Sequence, residues 1–160
     1  MGDKEQELVK IISYEPAYAR DFAELNLQWL RQYFEVEPYD EEVLFHPEKY
    51  ILNSGGAIYF AQLSSGEIVG TVALLKRDSK VYELTKMGVK PHLRGKRIGQ
   101  KLMYAAIYFA GQLGAHRVFL DSNRILKPAI QLYHKVGFKE IPVPKDSPYQ
   151  RCNIRMELWV

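Results

Sequence analysis

The chain is 160 residues long, with 47% hydrophobic and 26% charged residues and a formal net charge of +3. That composition fits one soluble globular domain, 1–160, and is too weakly basic to argue for nucleic acid on charge alone. A lone cysteine, Cys152, excludes an internal disulfide framework and suits a reducing compartment, and the 4 histidines show no zinc-like spacing. In chain order, the charged start Met1–Glu7 has neither an apolar leader nor a Ser or Thr at position 6. The expected location is therefore the cytoplasm. Glu7 to Tyr14 reads as a first strand, and Pro16 ends it and opens a helix. Phe22, Leu25, Trp29 and Tyr33 recur at helical spacing and define one face. The acidic run Glu35 to Glu42 is broken by Pro38, and a further short helix runs to about Leu52. Gly55-Gly56 marks a turn. Ala57–Leu63 and Ile68–Leu75, separated by Ser64-Ser65-Gly66-Glu67, form a hairpin, and Asp78-Ser79 turns the chain into a strand over Val81–Val89.

A helix begins near Gly95, with Ile98, Leu102, Ala105, Ala106, Phe109 and Leu113 on one face, and stops at Gly114. The apolar stretch Leu102 to Gly111 is too short to cross a bilayer, so no membrane partner is expected. Arg117–Leu120 is a strand, Leu126–Val136 a helix ended by Gly137, and Ile154–Val160 a last strand. Strand 81–89, helix 95–113 and strand 117–120 make a right-handed βαβ unit with parallel strands. The fold class is α+β: a mixed sheet with covering helices, whose ligands gather at the carboxyl ends of strands.

The junction after Val89 carries the chemistry. Lys90, Arg94, Lys96 and Arg97 surround Pro91, Gly95 and the helix start. A helix N-terminus offers unpaired N–H groups and a partial positive charge, and a curled loop adds an anion-binding concavity. Gly95 and Gly99 permit close approach. The stretch reads as a pyrophosphate cradle, or, at its plainest, as a solvated basic turn.

Arg94-Gly95-Lys96-Arg97-Ile98-Gly99 resembles the Gln/Arg-x-x-Gly-x-Gly/Ala loop of the GNAT superfamily of acetyl-CoA-dependent N-acetyltransferases, with Arg97 standing where the middle glycine falls. Ala129-Ile130-Gln131-Leu132-Tyr133, followed by Gly137-Phe138, resembles the family's Ala-x-x-Leu-Tyr-x-x-x-Gly-Phe signature. The two motifs follow in the family's order on the expected elements. The resemblance implies a mixed, mostly antiparallel twisted sheet with helices on both faces and a central βαβ unit. It implies acetyl-CoA as donor and an amine as acceptor. Met87, Gly88 and Val89 would align the pantetheine arm, with the Val89 N–H polarising the thioester carbonyl. Arg94, Gly95, Lys96, Arg97, Ile98 and Gly99 would hold the pyrophosphate. Asn123 would touch the CoA arm, although it also fits an ordinary turn. Tyr133 would protonate the departing thiolate, although its spacing also fits a core tyrosine.

Thioester aminolysis needs a neutral amine, and an alkylamine near pKa 10.4 is almost wholly protonated at pH 7, so a base belongs nearby. Strict alternation places Glu83 on the face of Met87 and Val89, about 20 Å along the strand from Val89. Some family members resemble this, with a glutamate acting through water. Glu83 equally fits a salt bridge to Lys80 or Lys86. The acceptor stays open. Glu35, Glu37, Asp40, Glu41 and Glu42 would attract a polyamine or form a solvated loop, whereas Arg151 or Arg155, near Tyr149, would grip a carboxylate or lie on the surface. Cys152 is not needed as a nucleophile in direct transfer. No nucleic-acid reader motif is present, and a monomer or homodimer is expected. A non-catalytic acyl-CoA sensor of the same fold is the competing reading.

Overall fold

The computed structural model describes residues 9–160. Seven strands form one sheet in the order β1-β2-β3-β4-β5-β7-β6. They are β1 (Lys10–Ser13), β2 (Ala57–Gln62), β3 (Ile68–Asp78), β4 (Val81–Val89), β5 (Arg117–Ser122), β6 (Lys139–Ile141) and β7 (Ile154–Trp159). Only β4 and β5 run parallel, joined through α3 (Ile98–Gln112); every other pair is antiparallel. The α+β class and the central βαβ unit stand as the sequence implies. Of the expected first strand, Glu7 and Leu8 lie outside the described residues. The three-residue β6 is an addition, too short for alternation to announce it.

Two apolar layers sandwich the sheet. On one face, α1 (Ala19–Tyr33) and α2 (Pro38–Phe45) bury Phe22, Leu25, Leu30, Val43 and Leu44 against Ile58, Phe60, Ala73 and Leu75. On the other, α3 and α4 (Lys127–Val136) bury Leu102, Met103, Ala106 and Tyr133 against Val72, Leu74, Tyr82, Leu84 and Val118. The buried stripe of α3 runs through Ile98, Leu102, Met103, Ala106 and Ala110, so Leu113, expected on it, is exposed. Likewise Leu30, not Trp29 or Tyr33, completes the core stripe of α1. Gly137, at φ +115°, caps α4 in the left-handed region that glycine tolerates. Among the described residues no helix is long and apolar enough to cross a membrane, and no cluster of three or more His, Cys, Asp or Glu is arranged to hold a metal.

Candidate active site

The parallel ladder between β4 and β5 is short. It pairs Val81 with Arg117, Tyr82 with Val118 and Glu83 with Phe119, and then stops. Beyond it the strands diverge, and a cavity of about 360 Å³ opens between Glu83–Val89 of β4 and Leu120–Asn123 at the end of β5. Leu126, Pro128, Ala129, Leu132 and Tyr133 close one side; Trp29, Tyr33 and Phe34 close the other, with Tyr149, Arg151 and Cys152 beside them.

β4 is itself irregular. Ala73 pairs with Thr85 and Thr71 with Gly88, so β4 carries one residue more than β3 over this span. The extra residue is a β-bulge, with Lys86 at φ +51°, a conformation that disfavours any side chain but glycine's. The bulge reverses the alternation. Before it, Tyr82 and Leu84 pack towards α3, while Glu83 lies on the α1 face across from Leu75. After it, Met87 and Val89 join the α3-side core, and a Cβ on Gly88 would meet the Leu25 carbonyl oxygen of α1 at 2.8 Å. Glu83 therefore does not share a face with Met87 and Val89, contrary to strict alternation. It opens to the cavity from the opposite side. The Lys90 N–H bonds to the Val69 carbonyl at 2.9 Å. In an antiparallel ladder the neighbouring Val89–Gly70 pair is then the unbonded kind. The Val89 N–H consequently points away from β3, into the gap.

A second hollow, about 280 Å³, adjoins the first and shares Val89, Arg94, Pro128 and Leu132 with it. Leu93, Gly95, Arg97, Ile98, Gly99 and Gln100 complete its wall. The first intrahelical bond of α3 runs from Lys101 N–H to Arg97 O, which leaves the N–H groups of Ile98, Gly99 and Gln100 without an acceptor inside the helix. Arg97 is the N-cap and sits at φ +64°. The residue standing at the glycine position thus adopts a glycine-like backbone. Lys90 is paired with Glu67 at 2.7 Å, and among the described residues Arg94 reaches Gln32, at 3.4 Å.

Tyr133 is 8% exposed and lines the cavity together with Ser122. Burial pushes its phenol above the ordinary value, with Ser122 opposing, so it stays protonated as a donor must. The core reading of Tyr133 holds, since its ring packs in the α3-side core, and the same residue also lines the cavity. Asn123 lines the cavity, but its amide is engaged: Nδ2 donates to Arg151 O at 2.6 Å and Oδ1 accepts from Ile125 N–H at 3.0 Å.

Glu83 is 2% exposed. Its partner is Arg77, whose Nε lies 2.9 Å from Oε1, and not Lys80 or Lys86. Burial raises the Glu83 carboxyl above its usual value, and the Arg77 contact only partly counters this. Lys86 is buried with its Nζ 2.9 Å from Asp40 Oδ1 and 2.7 Å from the Tyr149 hydroxyl. Burial lowers its pKa, against the pull of Asp40. Arg151 clamps Asp40 with two bonds of 2.8 and 2.7 Å and reaches Glu37 at 3.1 Å. Burial pushes the Asp40 carboxyl up, but the Arg151 and Lys86 bonds outweigh it and hold it below the ordinary range. Arg155 is committed to Asp121, at 2.6 and 2.8 Å. Glu37 and Asp40 are thus structural ion partners and not a solvated acidic loop. Sequence patterning missed Arg77, Lys86, Phe34 and Ser122 as site residues; the only available signal was a lysine in the middle of a strand.

A sheet split between its two parallel strands, a bulged strand beside the split and a basic helix-start loop at one end set the ground for comparison. The sequence profile of the acetyltransferase (GNAT) family matches residues 22–138. The chain belongs to the GNAT family. An uncharacterized N-acetyltransferase of Escherichia coli K12, YjgM, is 32% identical over 110 residues, covering 66% of this chain and 66% of that one. The N-acetylaspartate synthetase of Danio rerio is 31% identical over 100 residues, 62% of this chain but 36% of its own. The match thus spans less than two thirds of these curated relatives. The crystal structure of a GNAT-family acetyltransferase from Staphylococcus aureus Mu50 superposes with a TM-score of 0.84 at 26% identity, covering 94% of this chain and 98% of that one. The GNAT family binds an acyl-CoA and an acceptor.

Proposed function

We propose that this GNAT chain is an N-acetyltransferase that moves the acetyl group of acetyl-CoA to a primary amine by direct attack within a ternary complex. The observation carrying this reading is the continuity of the two hollows: a helix-start cradle for pyrophosphate runs into a cavity with Tyr133 in its wall. The loop Arg94–Gly99 holds the diphosphate, the free edge of Met87–Val89 takes the pantetheine amide, and the Val89 N–H faces the thioester oxygen as charge develops there. Asn123 borders the arm through its fixed loop. The acceptor enters from the α1 side. Its nitrogen bonds to the acetyl carbon, the carbon–sulfur bond breaks, the amine proton passes to Glu83 directly or through water, and Tyr133 protonates the sulfur. Burial supports Glu83 in this role by raising its proton affinity towards neutral pH.

The competing reading, an acyl-CoA sensor without chemistry, is favoured by one fact: Glu83 is already held by Arg77. Incubation with acetyl-CoA and a mixed amine panel, read by mass spectrometry, separates the two. An acetylated amine is the expected product. Thermal stabilisation by acetyl-CoA with no acetylated amine would establish the sensor.

A further inference from the structure

The acceptor half of the cavity is walled by four aromatic rings: Trp29, Tyr33, Phe34 and Tyr149. Trp29 and Phe34 meet edge to face with centroids 6.2 Å apart. The Trp29 ring lies so close to β4 that a Cβ on Gly88 would stand 3.0 Å from its Cδ1, which sets the wall directly over the reacting segment. Tyr33, at the end of α1, is 45% exposed where the cavity opens. A large aromatic ring left in water at a cavity mouth is unused binding area.

The charges around these rings are already matched. Glu83 holds Arg77, Asp121 holds Arg155, and Asp40 with Glu37 hold Arg151 and Lys86. Among the described residues the remaining cation of the wall is Arg94, which belongs to the pyrophosphate loop. A second ammonium on the acceptor would have to take Asp40 or Asp121 from the largely buried Lys86, Arg151 or Arg155, or take Glu83, the proposed base, from the more exposed Arg77. A carboxylate on the acceptor would have to take a cation from Asp40. Exchange at Asp40 or Asp121 leaves a buried charge uncompensated, and exchange at Glu83 occupies the proton acceptor. An apolar body asks for no exchange and gains contact with the rings.

We propose that the acceptor is a monoamine carried on an aromatic or bulky apolar body, with neither a second cation nor a carboxylate. This rests on the transfer reaction proposed above and names its substrate class. The test is thiol release from acetyl-CoA with 2-phenylethylamine, spermidine and phenylalanine offered separately. The expected kcat/KM for 2-phenylethylamine is at least about tenfold above the other two. Tyr33→Ala is expected to raise KM for 2-phenylethylamine by about tenfold while KM for acetyl-CoA stays fixed, which also reports that the variant is folded. Equal or greater efficiency with spermidine or phenylalanine, or an unchanged KM in Tyr33→Ala, overturns the acceptor class alone. Release with none of the three overturns the acceptor class, and the transfer reading beneath it falls with it only when the mixed amine panel also gives no acetylated product while acetyl-CoA binds.

Discussion

Glu83 and Arg97 show how single residues set this site apart. Glu83 is raised from its ordinary value of 4.5 by burial. A raised carboxyl keeps its proton to higher pH, so the acid limb of kcat/KM should fall above pH 4.5. Glu83→Gln should abolish that limb and slow transfer by about 10²-fold or more, read from a pH–rate profile. A limb that survives the substitution would remove Glu83 from the proton path. Arg97 holds a left-handed backbone that costs a non-glycine residue about 1–2 kcal/mol. Arg97→Gly should therefore raise the melting temperature, while both Arg97→Gly and Arg97→Ala weaken acetyl-CoA binding if the guanidinium meets a phosphate. Isothermal titration beside thermal denaturation distinguishes strain from charge. The unusual residue in the loop was plain in the sequence; its conformation was not, because φ at a helix N-cap is set by the loop that enters it.

At the scale of elements, the β4 bulge and the buried ion network belong together. Lys86 occupies the bulge at φ +51° and its ammonium is tied to Asp40 of α2 and Tyr149 ahead of β7. Arg151 binds the same Asp40, so one carboxylate joins three segments far apart in sequence. Asp40→Asn leaves Lys86 buried without a carboxylate and Arg151 with Glu37 alone, and should cost about 3–5 kcal/mol. Because the folded Asp40 pKa lies below its ordinary 3.8, its contribution is complete above that pH and fades only as pH falls through the folded value. The gap in melting temperature between wild type and Asp40→Asn should narrow only in that acid window. A gap unchanged down to pH 2 would mean that Asp40 is not the anchor. These elements also mark where patterning stops being informative. Period-two alternation identified β4 but could not see one inserted residue, and that residue moved Glu83 to the opposite face from Met87 and Val89. Helical spacing identified α1 and set Trp29 and Tyr33 on one face with Phe22 and Leu25, but could not separate core from cavity wall, because the two have the same periodicity. Asp40, Lys86 and Arg151 stand 46 to 111 residues apart, a distance over which local pattern carries no pairing information.

For the whole molecule, the sheet is a frame built to be split. Cores on both faces hold β1 to β4 and β5 to β6 as two wings, and the short parallel ladder from Val81 to Glu83 hinges them. The βαβ order and the two motifs were legible because each is local: a strand, a basic turn, a helix, then a tyrosine on the next helix. A ligand seated across the wings should stabilise the fold, by about 2.7 kcal/mol for acetyl-CoA at about 100 times its dissociation constant. The central claim is that this split performs acetyl transfer with Tyr133 as proton donor, and amine-dependent thiol release by wild type and Tyr133→Phe, measured with the acetyl-CoA dissociation constant of each, tests it most directly. The account predicts release by the wild type only when an amine is present, and a fall of about 10²-fold or more in kcat for Tyr133→Phe with the dissociation constant unchanged. Equal rates in the two proteins, or no amine-dependent release from a wild type that binds acetyl-CoA, would contradict it.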